Sequence, residues 1–229
     1  MDQFAGEHLA ALAATAVVAA LSIREARARP GAWIVLFSRT LAVLILAAYL
    51  AEYVAIVVRG TWSLERNLPL QLTDVVTIVA ALALWSPRPL LFELAYFWAL
   101  TASLQAMLTP NLASTFPSLF FFTYFATHCG AVVAAVFLAW GRGLVPRRGA
   151  VWRVFVATAT FAVVAGLSDL LLGGNYMFLR EKPETASLLD LMGPWPWYIL
   201  SGAMLAIAMF AVLDVPFRGR RRALAQRVD

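Results

Sequence analysis

One histidine, His128, sits inside a long apolar run, and it is the side chain here best suited to proton chemistry near neutral pH. Imidazole takes a proton from a hydroxyl or thiol and returns it to a leaving group. The hydroxyl read as its partner is Thr73, a weak nucleophile that needs an adjacent base. Asp74 and Asp169 are the carboxylates expected to orient the imidazole. Gln71, Gln105 and Asn175 offer amides to an oxyanion, and Asn111, Tyr176 and Trp197 complete the expected substrate-binding set. Plainer readings stand beside these. A lone histidine in an apolar run is often hydrogen-bonded between helices, and a helical threonine usually bonds back to its own backbone. Trp195, Trp197 and Tyr198 also read as an interfacial aromatic belt. Cys129 follows His128 by about 100° around a helix and reads as a small buried hydrophobe.

The elements that must carry these residues follow from hydropathy. Of 229 residues, 62% are hydrophobic and 14% charged, with mean hydropathy +0.78. A soluble domain is roughly half apolar and a quarter charged. A membrane-crossing helix needs about 20 mostly apolar residues. Seven such runs are expected, at about 8–23, 33–58, 68–85, 90–108, 119–140, 151–172 and 195–215. Turn signals separate them: Arg29-Pro30-Gly31, Ser86-Pro87-Arg88-Pro89, Thr109-Pro110-Asn111, Val145-Pro146, Gly173-Gly174 and Gly193-Pro194. The alternation of a membrane β-barrel is absent, so the runs read as helices. The expectation is all-α: a polytopic membrane helix bundle forming a single transmembrane domain over 1–229.

The arginines orient it. Fourteen of the 18 basic residues, among them Arg24, Arg39, Arg88, Arg147, Arg221 and Arg227, fall on one side of such a bundle. Arg59, Arg66, Arg180 and Lys182 fall on the other. Basic residues stay cytoplasmic, which puts the N-terminus outside and the C-terminus inside a multi-pass protein of the cell membrane. The start Met1-Asp2-Gln3 lacks the basic n-region of a cleavable signal peptide. A net charge of +5 spread by topology argues against nucleic acid, and leaves membrane lipids as the expected partners. No cofactor is implied. One cysteine and two histidines exclude an intrachain disulfide and a histidine-rich zinc site, and Lys182, the sole lysine, falls in a loop and excludes a retinal Schiff base.

Several strings resemble the bacterial YwaF family of integral membrane proteins. They are Asn67 through Asp74, Leu91 through Trp98, Ser103 through Ala106 with Leu108-Thr109-Pro110, and Phe121 through His128. Leu171 through Leu179, Ser187 through Asp190 and Gly193 through Tyr198 match as well. That family is similar to eukaryotic transmembrane acyltransferases acting on phospholipids. It is more distantly similar to androgen-induced membrane hydrolases, which cleave fatty-acid esters of hydroxy fatty acids. The resemblance implies a nucleophile in Leu70–Thr73 and a histidine at His128. This chain departs from it: Gln71 and Thr73 stand where the bacterial strings often have histidine and cysteine, and Leu70 stands where the eukaryotic acyltransferases have their cysteine.

The leading expectation is a membrane-embedded lipid acyl hydrolase or acyltransferase opening to the outer half of the bilayer. The alternatives are a transporter or small-molecule binding protein using the same polar pocket, and a non-catalytic scaffold.

Overall fold

A chain whose apolar runs must satisfy their own peptide groups folds as helix after helix. The computed structural model describes residues 4–183 and 187–226. Arg227 and the Met1-Asp2-Gln3 start lie outside the described residues. The long helices are α1 (Gly6–Ala28), α2 (Trp33–Val58), α3 (Leu72–Trp85), α4 (Pro89–Leu108), α5 (Leu119–Gly141), α6 (Ala150–Leu172) and α7 (Trp197–Ala225). α4 and α5 each contain a π-helical turn, at Ala99–Ser103 and Phe137–Gly141. No strand occurs among the described residues. The expected all-α membrane bundle is what the chain forms.

Six of these helices are long and apolar enough to cross a bilayer, and the expected seventh is shorter. α3 begins at Leu72 rather than Leu68 and has 14 residues. The reason is local. Pro69 donates no N–H and disfavours helical geometry at Leu68, so the chain from Asn67 to Gln71 stays irregular. At the other end of the chain, α7 continues through Pro216 as far as Ala225, ten residues beyond the expected limit. Arg218, Arg220 and Arg222 therefore ride on its last turns, where cations suit the carbonyl end of the helix.

The described chain forms two compact units. The first holds Met1–Thr61 and Thr73–Leu144, with α5 at its centre against α1, α2 and α4. The second holds Trp62–Leu72 and Val145–Asp229, with α6 against α7.

Polarity in the first unit is turned inward. The fully packed positions of α1 include His8, Thr15 and Ser22, spaced seven apart, while Val17, Val18 and Leu21 are exposed. His8 is a satisfied core histidine: Nδ1 accepts from the Phe4 N–H at 2.9 Å and Nε2 donates to the Met107 carbonyl at 2.8 Å. On α2 the inward stripe is Ser38, Ala42 and Ile45. Helices in lipid associate by close packing at small residues, and α5 supplies Gly130 for this. A Cβ there would lie 2.2 Å from the Ile45 Cγ2. Ile45 is β-branched and fully buried, so it has no free rotamer to yield.

Gly130→Ala should therefore lower stability by about 1–3 kcal/mol. Gly219→Ala, with open space around it, should leave stability unchanged or raise it slightly. Thermal unfolding of the two purified variants in the same detergent checks this, and equal midpoints would refute the packing account.

Candidate functional site

The first unit fixes the level of Thr73 and His128 through α2. Ile45 meets Gly130, and Glu52 faces the Thr123 hydroxyl, so α2 and α5 run antiparallel in one register. Tyr49 lies within electrostatic reach of Asp74, and the Arg39 guanidinium sits 5.2 Å from the Trp85 ring centroid. α3 is therefore antiparallel to α2 as well. The register of α2 and α5 sets His128 level with Ala47, and the approach of Asp74 to Tyr49 brings Thr73 to the neighbourhood of Leu50. Both levels lie in the same half of α2. The first turn of α3 lies about 13 Å below the end of α2 at Val58, which makes α3 a half-helix starting deep within the unit.

Thr73 is half-buried and its hydroxyl makes no hydrogen bond with any described residue. Its carbonyl accepts from the Thr77 hydroxyl at 3.0 Å. That contrasts with Thr15, Ser38, Thr77, Thr127 and Thr158, whose hydroxyls all bond back one turn. His128 is 8% exposed, and its Nδ1 has no hydrogen-bond partner. Its ring stands edge-on to Tyr124 at 4.3 Å between centroids. Tyr124 in turn donates to the Ala106 carbonyl at 2.8 Å, which ties α5 to the end of α4. Gln105 is engaged locally: its Nε2 donates to the Thr109 hydroxyl at 2.8 Å. Asn111 is exposed in the loop that follows.

Glu52 is the residue that sequence reasoning missed. It carries a carboxylate into the middle of this polar group, among Tyr49, Tyr53, Thr123 and Tyr124. The signal was present: Ser38, Ala42, Ile45, Tyr49 and Glu52 follow one another at alternating steps of four and three, a single face of α2. Glu93, on α4, is fully buried.

The second unit places the other expected residues in a separate network that holds main chain. Asp169, fully buried near the end of α6, accepts the Tyr176 N–H on Oδ1 at 2.7 Å, and its Oδ2 has no hydrogen-bond partner. The Tyr176 hydroxyl donates to the Leu64 carbonyl at 2.6 Å and accepts from the Leu68 N–H at 2.8 Å. Gln71 Oε1 accepts the Met177 N–H at 2.9 Å. Asn175 knots its own loop, accepting from the Arg180 and Glu181 N–H groups and donating to the Glu181 carbonyl. Gly174 is obligatory, because a Cβ would stand 2.7 Å from the Glu65 carbonyl oxygen. Trp197 is 63% exposed at the start of α7, where an aromatic belt residue belongs. At the loop edge, Glu65 is exposed, and hydrogen bonds from its own backbone and from Ser63 hold its carboxyl below the usual carboxylate range. Among the described residues no cluster of three metal-ligating side chains occurs.

Comparison with known proteins gives two matches. The TMEM164 family model matches residues 3–214. A protein of Treponema pallidum (strain Nichols), described as an uncharacterized protein, is 29% identical over 157 residues. That stretch is 68% of this chain and 64% of the Treponema protein, so the chain spans somewhat under two thirds of its relative. No solved structure matches the chain.

Tyr176→Phe removes the one group that bridges Leu64 and Leu68, leaving a part-buried carbonyl and N–H short of a partner. The expected loss is about 2 kcal/mol, read as a lower unfolding midpoint in detergent with faster protease cutting in residues 62–71. An unchanged midpoint and cutting pattern would show that the hydroxyl does not hold this segment.

Proposed function

On the premise that the chain belongs to the TMEM164 family, we propose that it transfers or hydrolyses a lipid acyl group inside the membrane. Thr73 is the nucleophile and His128 the base. The observation that carries this reading is the pair of unused polar atoms, the Thr73 hydroxyl and His128 Nδ1, both in the first unit and level with the same half of α2.

The Thr73 oxygen attacks the ester carbonyl carbon and gives its proton to the imidazole. The tetrahedral oxyanion forms beside the first turn of α3, whose N–H groups have no intrahelical partner and carry the positive end of the helix dipole. Collapse breaks the ester C–O bond, and the departing alkoxide takes the proton from His128. Water or an acceptor hydroxyl then attacks the acyl-threonine, passes its proton to His128, and Thr73 is regenerated with that proton. Water gives hydrolysis, and a lipid hydroxyl gives transfer. Asp74 stands beside Thr73 on the first turn of α3, and Glu52 faces the Thr123 hydroxyl. Asp169, Gln71, Asn175 and Tyr176 serve by holding the irregular segment before α3 rather than by touching the acyl group.

The topology that fits is an outer N-terminus and a cytoplasmic C-terminus in the cell membrane, following the arginines. The Thr73 level then lies in the outer half of the bilayer, within reach of a glycerolipid ester.

Purified full-length protein in nanodiscs, supplied with phospholipids and lipid esters carrying a labelled acyl chain, should release or transfer that chain. Thr73→Ala and His128→Ala should each reduce the rate by at least about 100-fold, while Thr73→Cys keeps activity. Wild-type protein that leaves every ester intact would sink the proposal.

A further inference from the structure

Arg39 and Trp85 flank a groove between α2 and α3. It has a volume of about 280 Å³ and is lined by Arg39, Thr40, Val43, Leu44 and Trp85. The guanidinium lies 5.2 Å from the Trp85 centroid, which uses one of its faces. Among the described residues neither the Arg39 N–H groups nor the Thr40 hydroxyl has a hydrogen-bond or ion-pair partner. A charge within a span is costly unless something answers it, so an unanswered arginine marks a site.

Its depth says what answers it. Arg39 is six residues past Trp33, about 9 Å along the axis, and helical side chains lean toward the N-terminus. The guanidinium thus reaches the level at which α3 ends in Trp85 and the polar turn Ser86–Arg88 begins. This is the level of lipid phosphate. The planar guanidinium fork matches phosphate oxygens, and Thr40 adds a hydroxyl donor beside it. Val43 and Leu44 continue from there toward the middle of α2 as an apolar wall. A free phosphate would leave that wall unused, and an uncharged lipid would leave Arg39 unanswered. The site is distinct from the acyl site, since Arg39 and the Thr73 level at Leu50 are about 16 Å apart along α2.

We propose that this groove is a phospholipid-binding site, with the phosphate held by Arg39 and Thr40 and one acyl chain lying along Val43, Leu44 and Trp85.

The test is native mass spectrometry of the full chain in mild detergent, offered phosphatidylglycerol and diacylglycerol with identical acyl chains. Wild-type protein should retain the phospholipid in preference to the diacylglycerol. Arg39→Gln should cut that retention by about tenfold or more, with diacylglycerol retention unchanged, and Arg39→Lys should restore part of it. Equal retention of the two lipids by wild type shows non-selective boundary lipid, and undiminished retention by Arg39→Gln places the phosphate elsewhere; either overturns the proposal. A second measurement does not depend on the Arg39 variants folding. Fluorescence quenching by bromine-labelled lipid, taken as wild type minus Trp85→Phe, should be stronger for phosphatidylglycerol than for diacylglycerol, and equal quenching also overturns the site.

Discussion

Every peptide group in hydrocarbon must find a hydrogen bond within the protein, because an unpaired one costs several kcal/mol. Helices meet this demand locally, and six of the seven long helices do so over a full span's length. The stretch from Trp62 to Gln71 does not. Its backbone is held instead by groups brought from far along the chain: the Tyr176 hydroxyl bridges Leu64 and Leu68, and Gly174 closes on Glu65. Gln71 returns the favour by accepting from Met177, one of the few non-glycine residues with positive φ. α3 starts only after this stretch, at Leu72. That start puts Thr73 and Asp74 on the first turn of α3, at the positive end of its dipole.

The interior is polar by a cheap device. Most buried hydroxyls bond back to a carbonyl one turn away, as those of Thr15, Ser38, Thr77 and Thr127 do. Against that background the exceptions carry information. Thr73, Ser103 and His128 keep an unused polar atom each, and His8 shows what a satisfied histidine looks like in the same unit. Packing, not polarity, draws the helices together: Gly130 lets α5 approach Ile45 of α2 so closely that a methyl group would not fit.

The helices themselves were legible in the sequence, because the need for about 20 apolar residues and for Pro or Gly between them is local. Boundaries held well for α2 and α6, where no proline intrudes. They slipped at Pro69, which shortens α3, and at Pro216, which does not end α7. Proline restricts the chain before it, but whether a helix survives depends on what else can satisfy the freed carbonyl. Glu52 was legible in principle from its place on the inward stripe of α2, yet hydropathy alone conceals one acid in a long apolar run.

By itself the sequence determined the class of protein, the position of its membrane helices and the polar residues among which any chemistry must be sought. Only the tertiary structure decided which of those residues are already taken. Asp169, Tyr176, Gln71 and Asn175 look like site residues in one dimension, and in three they hold main chain. Thr73 and His128, already singled out in one dimension, each keep in three a polar atom without a hydrogen-bond partner. The physical reason is that helix formation is settled within four residues, whereas the partner of a buried polar atom is chosen across a hundred, as Tyr176 chooses Leu68 and His8 chooses Met107.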